Sequence, residues 1–399
     1  MKVELHLLQN FPPANLNRDD TGQPKDTDFG GVRRARVSSQ CIKRSIRRSG
    51  PFERKMKGRI AKRSKSFHEK IAPLLVEKGH EPEKALQLVA ATFEIMLGWD
   101  AEKGENGLSS VLYYTEPKEL SLLANLIHER SGDLNKALDK SGDARKKSLK
   151  SAVKKITDEI LRIKGRRVYS ADIALFGRML ANVPSLNINA ASQVAHAVST
   201  HALDQDFDFY TAVDDLKAGD DDAEDKGAGM VGTTGFNSSC YYRYALVDAT
   251  QLAANLAEGA DEVTSADRAL AAEVVGAFLE GAIEAIPSGK QNAFAAQTPP
   301  SLVMAVVKGK DAAPWSLANA FATPVDAESE GLGLIPASVK RLDTHWDALV
   351  DMYGDGGAQV FVKVAKDAGD LESLAGHAVS NAPAVVQGVA DALKPWVEG

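Results

Sequence analysis

Cysteine is scarce: Cys41 and Cys240 are the only two in 399 residues, and no Cys-x-x-Cys pair exists. That excludes a disulfide framework and points to a reducing cytoplasm. Long apolar runs are missing too, so no membrane span is expected, nor a signal-peptide core, since charge interrupts residues 3–8. Nucleophile and nucleotide motifs are equally absent: there is no Gly-x-Ser-x-Gly elbow, no phosphate loop ending in Lys-Ser/Thr and no Cys/His constellation. Gly227-Ala-Gly-Met-Val-Gly232 matches the dinucleotide fingerprint in spacing only, because an acidic segment precedes it and a tyrosine-rich run follows where a buried strand and a helix are required. His196 and His201 are five apart, which does not share one helical face as the i, i+4 zinc spacing does. No metal and no cofactor are expected, and no internal repeat is visible.

What is present is a lopsided charge distribution. The net charge of −6 argues against a polyanion binder only if it is evenly spread. Residues 1–70 hold 18 Lys/Arg against 7 Asp/Glu, and the remainder 30 against 47. Arg18, Lys25, Arg33, Arg34 and Arg36 surround the pair Gly30-Gly31, and residues 38–49 follow as a helix. On a helical wheel Ile42 and Ile46 share one face while Gln40, Lys43, Arg44, Arg47 and Arg48 occupy the other. Ser38 and Ser39 stand where an N-cap belongs, and the glycines upstream are expected to let backbone approach a ligand. Free amide donors, the positive helix end and basic side chains then converge where a phosphate fits.

Around this segment the periodicities predict an α+β chain. Residues 3–8 read as a strand followed by a polar loop. From about 52 to 164 the pattern is helical, with Leu86, Val89, Ala90, Phe93 and Leu97 on one stripe and Val153, Ile156, Ile160 and Ile163 on another. Lys146, Lys147, Lys150 and Lys154 line up beside the second stripe, as a further polyanion contact or as solvated lysine. Residues 204–213 and 236–247 read as two strands joined by an acidic, glycine-rich loop whose run at 220–225 is a solvated tip. Helices follow at about 249–258 and 266–285, then strands at 292–297 and 302–307, then further helices. Asp19, Asp20, Asp26 and Asp28 form a carboxylate cluster that either holds a divalent cation or pairs with the adjacent arginines.

The blocks Leu16-Asn-Arg-Asp-Asp20 and Phe29-Gly-Gly-Val-Arg-Arg-Ala-Arg-Val-Ser-Ser-Gln40, with Lys43-Arg44 after them, resemble the N-terminal signature of the CasC family, the backbone subunits of type I-E CRISPR Cascade. The similarity continues through Gly177-Arg-Met179, Ala195-His-Ala-Val-Ser-Thr-His201, Phe209-Tyr-Thr-Ala-Val-Asp-Asp-Leu216, Tyr242-Arg-Tyr244, Gly289-Lys-Gln291 and Ser316-Leu-Ala-Asn-Ala-Phe321. Residues 52–140 and 218–230 match less well.

This resemblance implies a hand-shaped protein. Its palm is a modified RNA-recognition-motif (ferredoxin-like) sheet at 1–51, 191–202 and 241–399, its helical fingers an insertion at 52–190, and its thumb a β-hairpin at 203–240. It implies no catalysis: copies polymerise head to tail along CRISPR RNA with other Cascade subunits, present the guide to target DNA, and leave degradation to a separate helicase-nuclease. Carried over by position, Arg18, Lys25, Ser38, Gln40, Lys43 and Arg47 contact the RNA backbone, Met179 wedges between bases, and Phe209, Tyr210 and Thr211 form the thumb segment that kinks the strand. Ser39, Arg44, Arg178 and Lys290 complete the RNA-binding set, and the lysine stripe becomes a candidate DNA contact. The Phe209-Tyr210 pair departs from the Trp-Phe pair of the family's best-known member. The alternative is a metal-dependent endoribonuclease, as in related type III backbone subunits, using Asp26 or Asp28.

Overall fold

Seven consecutive buried residues, 3–9, run along the first strand, β1 (Lys2–Ala14). Their alternation of apolar and polar types predicts a half-wet strand, yet Glu4, His6 and Gln9 are each fully buried. Buried polar groups need partners, and these have them. Glu4 pairs with Lys308 at 3.1 Å and accepts the Trp315 N–H; His6 Nδ1 meets the Tyr242 hydroxyl at 2.8 Å; Gln9 donates to Thr298 O and accepts from Arg243 at 2.5 Å. Burial alone pushes the Arg243 guanidinium down to about 10.

The computed structural model describes residues 1–98, 112–165, 167–213, 228–257 and 262–399. The acidic run at 220–225 and Gly227 lie outside them. Beyond β1 the strands are β2 (Asp26–Phe29), β3 (Val32–Val37), β4 (Lys62–Ser64), β5 (Tyr113–Thr115), β6 (Ser192–Val194), β7 (Ala197–Ser199), β8 (Asp206–Val213), β9 (Ala228–Asp248), β10 (Leu302–Lys308) and β11 (Gln359–Val364). The main sheet runs β11-β10-β1-β9-β7-β3-β2, with β8 paired to β9. Every pairing whose register is defined is antiparallel, as in β1–β10 with Leu5 opposite Ala305 and β10–β11 with Met304 opposite Val362. Central placement explains why β10 is buried at all seven residues.

The α+β expectation holds in this antiparallel sheet with its helices. Three local expectations fail, the first being the loop expected to run to Gly235, which is strand from Ala228 on because it pairs with β8. The first strand does not end at Leu8 but continues to Ala14. The strand expected at 292–297 is instead a one-turn helix, Gln291–Phe294, because Lys290 and Ala295 on either side both take φ 48° and break any extended run.

The chain divides into two compact units: Met1–Phe52 with Val194–Leu246 and Gly276–Lys394, and Glu53–Gln193 with Val247–Val275 and Pro395–Gly399. The first is built on the sheet, one face of which packs Leu8, Met304 and Val362 against Leu342 and Trp346 of helix Leu334–Tyr353. The second is helical, with Leu75, Leu88, Phe93, Leu123, Ile127, Val153 and Ile156 in its core. Its predicted stripes are right at Val89, Phe93, Val153 and Ile160 but not at Leu86 and Ile163, which are exposed, since the buried stripe of helix Pro82–Leu97 runs through Ala85, Leu88 and Thr92 instead. Among the described residues no helix is long and apolar enough to cross a membrane.

Candidate nucleic-acid interface

The basic helix, α1 (Ser39–Arg47), has Ser38 as its N-cap, in extended conformation, with its hydroxyl accepting the Cys41 N–H at 3.3 Å. Ile42 and Ile46 are buried, and Ile46 packs against Gly281, where an added Cβ meets Ile46, Phe52 and Ser49 at 3.4 Å or less. That anchors the apolar side. Gln40 and Arg44 are exposed on the other side, Lys43 and Arg47 half-buried, and the first turn holds no acid. Arg44 and Arg47 in the last turn suit the helix dipole.

Of the amide donors expected free at this helix start, those of Ser39 and Cys41 are engaged. Ser38 N–H goes to Asn17 Oδ1 at 2.9 Å, Ser39 N–H to His196 Nδ1 at 3.1 Å, and Cys41 N–H to the Ser38 hydroxyl. His196, set aside on spacing as a metal ligand, proves to be part of the cap. Burial, Arg36 and Lys25 all lower its pKa, which keeps the ring neutral and able to accept.

Loop residues 15–25 lie beside α1. Lys25 N–H bonds Asn17 O at 2.8 Å and Arg36 N–H bonds Lys25 O at 2.9 Å, while Asn15 Nδ2 ties Gly22 O to Gly235 O on β9. Arg18 is exposed and Lys25 half-buried. Gly289 packs on this loop, with no room for a Cβ beside Leu16 O. Lys290 follows, in left-handed conformation, its Nζ 3.3 Å from Thr234 Oγ1. Loop, helix and Lys290 thus share the neighbourhood of the β9 hairpin base.

The other arginines divide by role. Arg34 is fully buried, donating to Ser199 O at 2.9 Å, Phe321 O at 2.8 Å and Ala322 O at 3.3 Å. Arg33 bonds both Asp26 (2.6 Å) and Asp28 (3.2 Å), and Arg36 Nε bonds Asp26 O. Both carboxylates share the one Arg33 guanidinium, and this pairing of β2 against β3 is the charge-pairing alternative of the sequence. Asp19 caps its own turn through the Thr21 hydroxyl and the Gln23 N–H. The glycine pair serves the fold: Gly30 and Gly31, φ 62° and 75°, make the two-residue turn from β2 to β3, and a Cβ on Gly30 would sit 1.7 Å from Ala322 O.

In the β8–β9 hairpin Phe209 lies opposite Thr233 and Tyr210 opposite Gly232. Tyr210 covers that glycine, whose Cβ would meet its hydroxyl oxygen at 2.5 Å. Phe209 points to the other face with Phe207, and the two are 65% and 62% exposed. Phe207 escaped sequence reasoning, although the Asp-Phe-Asp-Phe alternation at 206–209 carries the signal. Thr211 is exposed at the end of the same run.

In the helical unit Met179 is 82% exposed. Arg178, expected to bind RNA, is buried instead: its guanidinium bonds Glu119 at 2.6 Å. Burial raises the Glu119 carboxyl, but Arg178, Lys164 and the Tyr113 hydroxyl outweigh it and hold it at about 2. Sequence alone cannot separate such a strut from a ligand arginine. Lys146, Lys147, Lys150 and Lys154 are all exposed along helix Gly142–Lys164. Three of them, at i, i+4 and i+8, line a groove of about 640 Å³ with Val183, Pro184 and Ser185, while Lys147 turns away from it.

Both ring nitrogens of His201 engage backbone, Nδ1 with Ala202 O and Nε2 with the Cys240 N–H. Among the described residues no three His, Cys, Asp or Glu side chains converge as for a metal ion.

The family model described as CT1975-like protein matches residues 3–387. A solved chain of a "CRISPR RNA-guided surveillance complex, pre-nicking" is 29% identical with a TM-score of 0.77, the match covering 98% of this chain and 100% of that one. A chain of a "CRISPR RNA-guided surveillance complex" at 24% identity and TM-score 0.68, with the same coverage, shares the fold. No curated protein sequence matches.

Proposed function

The chain belongs to the CT1975-like protein family, and from that premise we propose that it is a non-catalytic, RNA-binding backbone subunit of a type I-E Cascade, polymerising along CRISPR RNA. The observation that carries this reading is the union of Arg18, Lys25, Gln40, Lys43, Arg44 and Arg47 on one loop and one helix, the latter anchored by Ile42 and Ile46 and capped by Ser38. Side-chain cations without a base-reading groove grip sugar-phosphate. Sequence is left to guide pairing with target DNA. In this reading the sheet is an RNA-recognition-type palm, the helical unit the fingers and the β8–β9 hairpin the thumb. Its test is the nucleic acid that copurifies from cells carrying a CRISPR array: short RNAs of uniform length with repeat-derived ends are expected, and heterogeneous RNA refutes the assignment.

Catalysis is not part of the proposal. A metal-dependent ribonuclease needs a carboxylate free to hold its ion, and the bonds from Arg33 to Asp26 and Asp28 weigh against that. Assembled with guide and Mg²⁺, the protein should leave complementary RNA and DNA intact. Cleavage abolished by Asp26→Ala or Asp28→Ala would establish the nuclease.

Lys146, Lys150 and Lys154 are assigned to the target DNA. Reversing Lys146 and Lys150 to Glu should weaken duplex binding and leave assembly on RNA nearly unchanged, because phosphate contacts act within about a Debye length, roughly 10 Å at 0.1 M salt. Equal loss of both sinks the assignment.

Phe207 and Phe209 present an apolar, base-stacking face, and a lone hairpin is at best marginally stable in water, so a neighbouring copy and RNA are its partners here. Head-to-tail contacts do not close, so oligomer mass should grow with guide length. Phe209→Ala with Tyr210→Ala should abolish that growth, as read by light scattering. Growth unaffected by the double change removes the hairpin from assembly, and helicase-nuclease recruitment is expected to depend on the assembled complex.

A further inference from the structure

We propose that Arg178, locked by Glu119, is a positioning residue that fixes the backbone presenting Met179. This rests on the reading of Met179 as a base wedge. An exposed methionine between Arg178 and Leu180, which are 5% and 4% exposed, is a protrusion from a pinned segment. A thioether is itself flexible, so any constant position must come from the main chain.

The main chain is held from several sides. Gly177 has φ 74°, and a Cβ there would press Ile188 O at 2.9 Å. Arg178 and Ile188 exchange both backbone hydrogen bonds, at 3.0 and 2.9 Å, and Leu180 N–H bonds Asn187 Oδ1 at 2.5 Å. The Arg178 fork joins these parts: Nη1 bonds Glu119 at 2.6 Å and Tyr114 O at 3.2 Å, while Nη2 bonds Leu186 O on the returning arm of the same loop, at 3.1 Å. Glu119 is fixed in turn by the Tyr113 hydroxyl (2.5 Å), the Thr115 hydroxyl (3.1 Å) and Lys164.

Such a buried pair is a poor choice for stability alone, since apolar residues of like volume often do as well or better. A planar fork with directed bonds does what an apolar pair does not: it specifies the register of both loop arms.

The test uses full-length protein assembled on guides carrying 2-aminopurine at successive positions, whose fluorescence rises where a base loses its stacking neighbour. Wild-type protein should give periodic bright positions, and Met179→Ala should flatten them. Arg178→Lys, which keeps the charge and loses the fork, should flatten them equally while RNA affinity and its salt slope stay at the wild-type value. Added to Met179→Ala, it should change nothing further. Should Arg178→Lys fail to fold, Tyr113→Phe removes one bond to Glu119 and should broaden the pattern. A profile unchanged by Arg178→Lys or Tyr113→Phe in folded protein, or an equal effect in the Met179→Ala background, overturns the positioning role. A profile that Met179→Ala itself leaves unaltered overturns the wedge reading beneath it.

Discussion

Replacing Lys43 and Arg47 together by alanine should weaken RNA binding on the order of 10²- to 10⁴-fold for every sequence alike, at about 1.5–3 kcal/mol for each of the two charge-assisted contacts. The salt dependence should flatten with it, by roughly 0.7 in slope per lost phosphate contact on a single strand. Both residues lie on the side of α1 opposite Ile42 and Ile46, so the helix keeps its buried anchor and its Ser38 cap. Anisotropy titrations of two unrelated RNAs over a range of salt measure this. A loss confined to one sequence, or a slope left unchanged, would remove α1 from the grip.

Arg34→Ala should do the opposite, costing about 3–5 kcal/mol of stability while the folded fraction binds RNA with an unaltered salt slope. The side chain is fully buried, and its removal strands the carbonyls of Ser199, Phe321 and Ala322, at about 1–3 kcal/mol for an unmet buried partner, and leaves a void. Arg34→Met, which fills the space without the bonds, should recover part of the loss. Denaturant midpoints for the three proteins decide it, and an Arg34→Ala midpoint at the wild-type value shows that the bonds contribute nothing. Two arginines thirteen positions apart in one basic segment, Arg34 and Arg47, thus carry separable roles.

Much of the architecture is legible without coordinates. The basic helix with its Ser38 cap and isoleucine face, the strand at 302–307 and the helix at 266–285 all follow from local periodicity and appear close to where it puts them, whereas the strand read at 236–247 starts eight residues earlier. Local reasoning misleads where a residue's partner is distant in sequence. Glu4 and His6 read as the wet face of a strand until Lys308 and Tyr242 arrive to bury them. Leu86 reads as core because its spacing is right, but the packed stripe passes beside it.

By itself the sequence determines which residue types occur at which spacing: a capped helix with one apolar and one basic face, a glycine turn, a Met after Gly177-Arg178. Only the tertiary structure decides which of those cations face solvent. Arg34, Arg178 and Arg44 are chemically identical side chains, yet carbonyls at Ser199 and Phe321 bury the first, Glu119 buries the second and the third is exposed. The reason is that burying a charge costs several kcal/mol unless acceptors converge on it. That convergence is made by segments far apart along the chain, so it exists only once the fold has brought them together.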